Sequence, residues 1–348
     1  MRIIFFGTPD FAVPSLQRLL TRPEFEVVAV VTQPDRRRGR GSAMIASAVK
    51  QVAIEAGVPV WQPTRVKKDE ETLALLRQAQ ADAFVVVAYG QLLSAAILQM
   101  PRLGCINAHG SLLPAYRGAA PIQRSLADGV TETGIDTMLM DVGMDTGPLL
   151  LRAKTDVPLL DNADSLAHRL ALLAADLLPE TLLGLDEGDL EPQPQDHDRA
   201  TAAPPLRKEE FILHWDQPTM AMHNAIRGFF PHCVAQFRGA SLKVLATAPL
   251  GPDYWDGLPF EFSVLEHDWP ALERQFEQVP HRDRPGTVVA VVKNIGPIVR
   301  TQDGYLLLRK VIPAGKRLQS GWDFANGLHL EPGEMLEELV GDRVAEMV

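Results

Sequence analysis

The sequence predicts an α/β chain in two parts: an N-terminal Rossmann-like, mostly parallel sheet with helices on both faces, then a C-terminal OB-like small β-barrel. Three observations predict it. Short apolar runs alternate with helix-patterned stretches over residues 1–190, the grammar of a parallel sheet covered on both faces. Residues 191–207 are then poor in apolar side chains and rich in proline, as a linker is. Over residues 208–330 short strands dominate, which suits a small barrel of a kind that often binds nucleic acid.

In chain order, Arg2 to Phe6 is a continuous apolar run of the sort that sits mid-sheet. Gly7-Thr8-Pro9-Asp10 follows, with Thr8 expected to cap a helix that Pro9 opens and Leu16, Leu19 and Leu20 pattern. The turn lacks G-x-G-x-x-G, so it offers no dinucleotide fingerprint. Glu26 to Thr32 makes a second strand. The loop after it, Gln33-Pro34-Asp35-Arg36-Arg37-Arg38-Gly39-Arg40-Gly41, sets four arginines against one aspartate. Arginines on glycine hinges suit a phosphate-rich ligand, although a solvated basic loop would read the same way. A helix is expected over 43–56, strands at 58–61 and 83–88, and a helix over 69–79 between those strands. Strands follow at 103–109, 134–140 and 149–157, with a helix beginning near Pro121. From Asp161 or Asn162 a leucine-striped helix runs on, with Pro179 a candidate kink and Gly184 its expected end.

After the linker a helix is expected at 217–227, then strands at 234–237, 242–246, 287–292, 298–300 and 305–311, with Asp303-Gly304 a hairpin signal. Asp253, Asp256, Glu261, Glu266, Asp268, Glu273 and Glu277 crowd a segment at about 252–280 that reads as an acidic insertion. Cations, Lys293, Arg309 and Lys310 among them, crowd the strands after it, so one cationic face is compatible with the net charge of −10. Residues 331–348 read as an acidic tail.

At 348 residues the chain exceeds one ordinary core, and 46% hydrophobic with 22% charged residues is a soluble composition. No apolar run approaches the roughly 18 residues that cross a bilayer, so no membrane partner is expected. The start of the chain lacks the apolar core of a signal peptide. Only Cys105 and Cys233 are present, which excludes a disulfide framework and suits a reducing, cytoplasmic setting. The nine histidines show no H-E-x-x-H spacing, and no metal is expected.

The chemistry points to Cys105-Ile106-Asn107-Ala108-His109-Gly110. Asn107 and His109 lie two apart on a strand, hence on one face, at the carboxyl end where open α/β sheets place their sites. The turn Asp141-Val142-Gly143-Met144-Asp145-Thr146-Gly147 follows another strand and can bring Asp145 to the same edge. An amide, an imidazole and a carboxylate suit acyl transfer to an amine. Asn107 would donate to the oxyanion, His109 would take or relay a proton, and Asp145 would orient or charge the imidazole. Ser111 lies nearby without a G-x-S-x-G elbow, so no covalent serine is required. The same residues can be structural polar groups and a turn former, and spacing alone leaves both readings open.

Phe6-Gly7-Thr8-Pro9-Asp10-Phe11-Ala12, Thr32-Gln33-Pro34-Asp35-Arg36, Val87-Ala88-Tyr89-Gly90 and Asn107-Ala108-His109-Gly110-Ser111-Leu112-Leu113-Pro114 resemble the methionyl-tRNA formyltransferases, a branch of the folate-dependent formyltransferases. So do residues 116–123 and 140–147. The resemblance implies transfer of a formyl group from 10-formyltetrahydrofolate to the methionine α-amine of initiator methionyl-tRNA; a monomer is expected. It implies catalytic roles for Asn107, His109 and Asp145, and folate contacts from Ser111, Leu112, Leu113, Pro114, Tyr89 and Gly90. Arg36, Arg37, Arg38 and Arg40 would engage the acceptor stem, with Lys293, Arg309 and Lys310 in the tRNA-binding barrel. Ser42, Ala43, Ala48 and Ala115 depart from the family's pattern and remove cationic or kindred contacts. Two other readings remain at this stage: a formyltransferase for a sugar-nucleotide or other small amine, and a folate- or nucleic-acid-binding module without catalysis.

Overall fold

The computed structural model describes residues 1–37 and 44–339, with nothing said of the side chains of Arg36 and Arg37. Two compact units emerge. The first comprises Met1–Pro121, Glu132–Thr155 and Ala167–Pro204, and the second Ile122–Thr131, Asp156–Leu166 and the chain from Pro205 onward. The division is therefore not one cut in the sequence, as expected, because two short N-terminal segments pack with the second unit.

The first unit holds a seven-stranded sheet ordered Leu149–Asp156, Glu132–Leu139, Cys105–His109, Ala83–Val87, Arg2–Gly7, Glu26–Val31, Val60–Trp61. Arg2–Gly7 pairs in parallel with both its neighbours, and Cys105–His109 runs parallel to Ala83–Val87. Glu132–Leu139 is antiparallel to Cys105–His109, with His109 opposite Asp136. Central strands buried on both faces explain the unbroken apolar runs: Ile3, Ile4, Phe5 and Phe6 are all fully buried.

Three local readings need correction. Thr8 does not cap a helix. Its hydroxyl donates to the Tyr89 carbonyl at 3.1 Å, and a short 3-10 turn over Asp10–Ala12 precedes the helix Val13–Thr21. The helix expected from 43 begins only at Ala48, capped by Ser47, because Arg36–Arg37 and Met44–Ile45 form an antiparallel hairpin. The long helix Ala163–Glu187 runs through Pro179 and Gly184 and stops at Gly188, whose φ of +78° is the left-handed turn that ends helices. There the Asp189 N–H reaches back to the Gly184 carbonyl at 2.9 Å, satisfying one terminal acceptor.

In the second unit, antiparallel strands run Val288–Val292, Gly296–Arg300, Tyr305–Pro313, Ala240–Leu250, Val234–Phe237, Leu336–Glu337. The two ends of this curled sheet meet: the Leu336 N–H donates to the Gly286 carbonyl and the Val288 N–H to the Glu334 carbonyl, each at 2.8 Å. Residues 331–339 are thus part of the barrel and not a tail, with Leu336 and Leu339 buried. Residues 340–348 lie outside the described residues.

The acidic stretch is not an appendage either. Ser263–Phe276 is a helix whose Leu265, Trp269, Leu272 and Phe276 pack with Phe262 onto Ala248, Leu250, Val289, Ile298 and Leu307. Leu306 and Leu308 belong to the other apolar cluster of this unit. Alternation along the Tyr305–Pro313 strand therefore gives one face to each cluster, and the acidic helix roofs one of them.

Candidate active site

Asn107 and His109 sit where the sequence places them, on one face at the carboxyl end of Cys105–His109. His109 is 6% exposed. Its Nε2 lies 2.9 Å from the Tyr116 carbonyl oxygen, an atom that only accepts, so Nε2 carries a proton in either charge state. The ring's other nitrogen, Nδ1, faces Asp145 Oδ2 at 3.7 Å. That is an ion-pair distance, longer than a direct hydrogen bond. Asp145 Oδ2 also accepts the Gly118 N–H at 2.8 Å, which fixes the carboxylate toward the imidazole. Two of the three expected catalytic side chains are thus in contact. The Asn107 amide is partly open and takes no hydrogen-bond partner among the described residues.

The loop after His109 is built by charge that sequence reasoning missed. Asp136, fully buried, accepts from the Leu113 N–H at 2.7 Å, and Arg152 grips the same carboxylate at 2.6 and 2.7 Å. Arg152 also donates to the Leu113 carbonyl at 2.6 Å, and hydrogen bonding to Asp136 raises its pKa further. Ser111 is fully buried and donates to the Ala115 carbonyl at 2.7 Å, so its hydroxyl shapes the loop and is no nucleophile. Leu113 is buried, while Leu112 and Pro114 are partly exposed.

Tyr89 needs correction as a pocket residue. Its ring is 2% exposed and packs edge-on to Phe6 at 5.4 Å, within the apolar core beside the sheet. Burial pushes its hydroxyl pKa up, and the buried oxygen has no partner among the described residues. Only its backbone faces outward: the carbonyl accepts from Thr8 Oγ1 and Gln33 Nε2, tying three strand ends together. Gly90 is exposed at a φ of +82°, and a Cβ there would meet Gln33 Nε2 at 2.4 Å.

Residues 193–203, expected as linker, are a strap along this site. The strand Ala202–Ala203 pairs in parallel with Arg117–Gly118, so close that a Cβ on Gly118 would meet the Ala203 carbonyl oxygen at 2.5 Å. Gln195, 6% exposed, donates to the carbonyls of Asp145 and Gly147 at 2.9 and 2.7 Å and accepts from Arg117 at 2.7 Å.

Of the expected cationic residues, Arg36 and Arg37 form one arm of the hairpin, and Arg38 and Arg40 lie outside the described residues. The root of that hairpin is pinned, because Asp35 accepts from Lys50 Nζ and Gln62 Nε2, each at 2.7 Å. Lys293 and Lys310 are exposed. Arg309 is engaged within its own unit, and this corrects its reading as a free cation. It donates to Glu261 at 3.2 Å and lies over the Phe262 ring at 5.2 Å, both from the acidic segment, and burial lowers its pKa. Among the described residues no group of three metal-binding side chains occurs, and no helix is long and apolar enough to cross a membrane.

A strand-end imidazole paired to a carboxylate, beside an uncommitted amide on a Rossmann-like sheet, is the frame of an acyl-group transferase. Comparison places it. The formyl transferase family profile matches residues 1–182, and that of the formyl transferase C-terminal domain matches residues 205–329. The chain belongs to the formyl transferase family. Among curated relatives, the methionyl-tRNA formyltransferase of Trichodesmium erythraeum is 56% identical over 337 residues, 97% of this chain and 98% of that protein. That of Cyanothece sp. is 57% identical over 336 residues, 97% of this chain and 99% of the relative. Among solved structures, WlaRD, a sugar 3N-formyl transferase, shares the fold at a TM-score of 0.61 and 16% identity, covering 91% of this chain and 99% of its own.

Proposed function

We propose that this chain transfers the formyl group of 10-formyltetrahydrofolate to the α-amine of methionine on initiator tRNA, as a cytoplasmic monomer in translation initiation. The observation that carries the chemistry is the His109–Asp145 pair, with its Nε2 committed to Tyr116 and its Nδ1 facing the carboxylate. The acceptor follows from the near full-length likeness to enzymes named for methionyl-tRNA, and from exposed cations on the barrel.

The donor supplies a carbonyl carbon bound to a nitrogen that leaves when the acceptor amine attacks. Residues present in the chain fit such a donor: the Asn107 amide, partly open at the strand end, lacks a partner among the described residues. Asn107 donates to the carbonyl oxygen as negative charge develops there, a contribution of about 3 kcal/mol for one such donor. His109 Nδ1 and Asp145 hold the proton that the attacking amine gives up, and return it to the leaving nitrogen. The ring cannot rotate away from this task without breaking the Nε2–H bond to Tyr116. The Asp136–Arg152 pair holds the Leu113–Pro114 loop that borders the strand end. Arg36, Arg37, Arg38 and Arg40, with Lys293 and Lys310, would meet tRNA phosphates.

The deciding assay pairs 10-formyltetrahydrofolate with initiator methionyl-tRNA and, separately, with an amino sugar nucleotide. Formylation of the tRNA that falls steeply with salt is expected. Salt-insensitive turnover of the sugar amine with none on tRNA would defeat the assignment.

A further inference from the structure

Tyr116 and Asp145, the two residues that flank the His109 ring, both have left-handed backbones, with φ of +61° and +54°. A non-glycine residue there costs of order 1 kcal/mol and persists only where its surroundings over-determine it. At both positions the strap supplies a bond. The Tyr116 N–H donates to Thr201 Oγ1 at 2.9 Å, and the Asp145 carbonyl accepts from Gln195 Nε2 at 2.9 Å. Gln195 takes part on both sides of the ring. Its amide nitrogen holds the Asp145–Gly147 turn through two carbonyls, while its oxygen accepts from Arg117, whose neighbours Tyr116 and Gly118 bond His109 and Asp145.

We propose that Gln195 is a positioning residue for formyl transfer: it sets the distance between His109 Nδ1 and Asp145 by bracing the carboxylate's turn against Arg117, in the Tyr116–Gly118 segment whose Tyr116 carbonyl holds the imidazole. This rests on the reading of that pair given above. An amide is the side chain the place requires, because it must donate to two carbonyls and accept from a guanidinium at once. No ionised side chain satisfies all three. A glutamate would keep the Arg117 bond and set a carboxylate against two carbonyl oxygens, and a leucine would keep the volume and lose every bond.

The test is steady-state kinetics of Gln195→Leu and Gln195→Glu, each alone and in an Asp145→Asn background, with far-UV circular dichroism to verify folding. Misplacement of about an ångström is worth roughly 10- to 100-fold. Both variants are therefore expected to lose that much kcat, with KM for donor and acceptor little changed. In the Asp145→Asn background they should add almost nothing, since the group they position is already spent. A purely structural role would give an equal loss in both backgrounds and would overturn the proposal, as would wild-type kcat in the glutamate variant. If Gln195→Leu does not fold, Gln195→Glu decides alone. Should His109→Ala and Asp145→Asn themselves retain turnover, the reading of the pair fails. If they lose it while Gln195→Glu does not, only the positioning role fails.

Discussion

Asp145 Oδ2 stands 3.7 Å from His109 Nδ1 while the Gly118 N–H holds the same oxygen at 2.8 Å. The carboxylate thus has one backbone partner and one imidazole partner. An asparagine would keep a carbonyl oxygen for Gly118 and lose the charge that stabilises a protonated imidazole. Asp145→Asn is expected to cut kcat by about two powers of ten or more, with KM little altered, and His109→Ala by at least as much. Initial-rate kinetics check both; near-normal rates in either would remove that residue from the chemistry.

Asn107 predicts a different signature. Its amide has no partner among the described residues, so Asn107→Ala strands none of their buried groups and should barely change stability. The loss should fall on kcat, by roughly 100- to 1000-fold for a single oxyanion donor. Thermal unfolding beside single-turnover rates separates the two. A large fall in melting temperature would point to a structural amide instead.

The Asp136–Arg152 pair is asymmetric, with side-chain exposures of 1% and 39%. Removing Arg152 therefore strands a buried carboxylate, whereas the arginine is itself half open to water. Arg152→Met is expected to cost about 3 kcal/mol of stability. It should also loosen the Leu113–Pro114 loop, because the arginine bonds the Leu113 carbonyl. A raised KM for the formyl donor with the His109 chemistry intact is the kinetic expectation. Denaturant titration and donor saturation curves check it.

Much of the site was legible where spacing is short. Asn107 and His109 follow from the two-residue period of a strand, and the glycine-flanked turn marked Asp145. Gln195 was not legible, because it acts on Asp145 across 50 residues and lies in a stretch whose scarcity of apolar side chains looks like a linker. A segment that binds through backbone pairing and polar bonds has that same composition. Asp136 was hidden inside an apolar strand and becomes meaningful only once Arg152 is opposite it. In the second unit, charge density obscured a signal that was present. Leu265, Trp269, Leu272 and Phe276 have helical spacing, and they bury one face of the helix. Tyr89 was expected at the folate from the resemblance alone, and only the packing on Phe6 shows that its ring turns inward.

Acid should reveal His223 first. The ring is 2% exposed, bonded to Thr247 Oγ1 at 2.9 Å and the Leu159 carbonyl at 2.8 Å. Burial, helped by Arg227 and Arg309, lowers its pKa to about 4, against the bond to Leu159. A depressed base stabilises the fold fully above its unfolded value, near 6.5, and that stability drains as pH falls toward 4. The contribution at stake is about 3 kcal/mol. Glu210, held down to about 2 by Arg124, begins to matter only below its ordinary value of 4.5. Denaturation between pH 6.5 and 4.5 therefore reads histidines, His223 together with His232, whose pKa burial also lowers, and the His223 variant separates them. His223→Gln should flatten the slope in that window; an unchanged slope would remove this histidine as the cause.

Arg309 and Lys310 are sequence neighbours with opposite fates, since successive residues of a strand face opposite sides. Lys310 is exposed, as is Lys293 in its turn, and neither has a carboxylate partner among the described ion pairs. Arg309 is held by Glu261 and Phe262. If phosphates are met by the barrel's free cations, Lys293→Ala and Lys310→Ala should each lower the slope of log affinity against log salt by about one. Arg309→Met should leave that slope unchanged and instead cost about 1 kcal/mol of stability, because it removes a partly exposed ion pair and a ring contact. Filter binding of initiator tRNA over a salt series, beside denaturant titration, distinguishes them. A slope that changes for Arg309 alone would mean that the Glu261–Phe262 turn lifts away when RNA binds, and that the cation it covers is the one that matters.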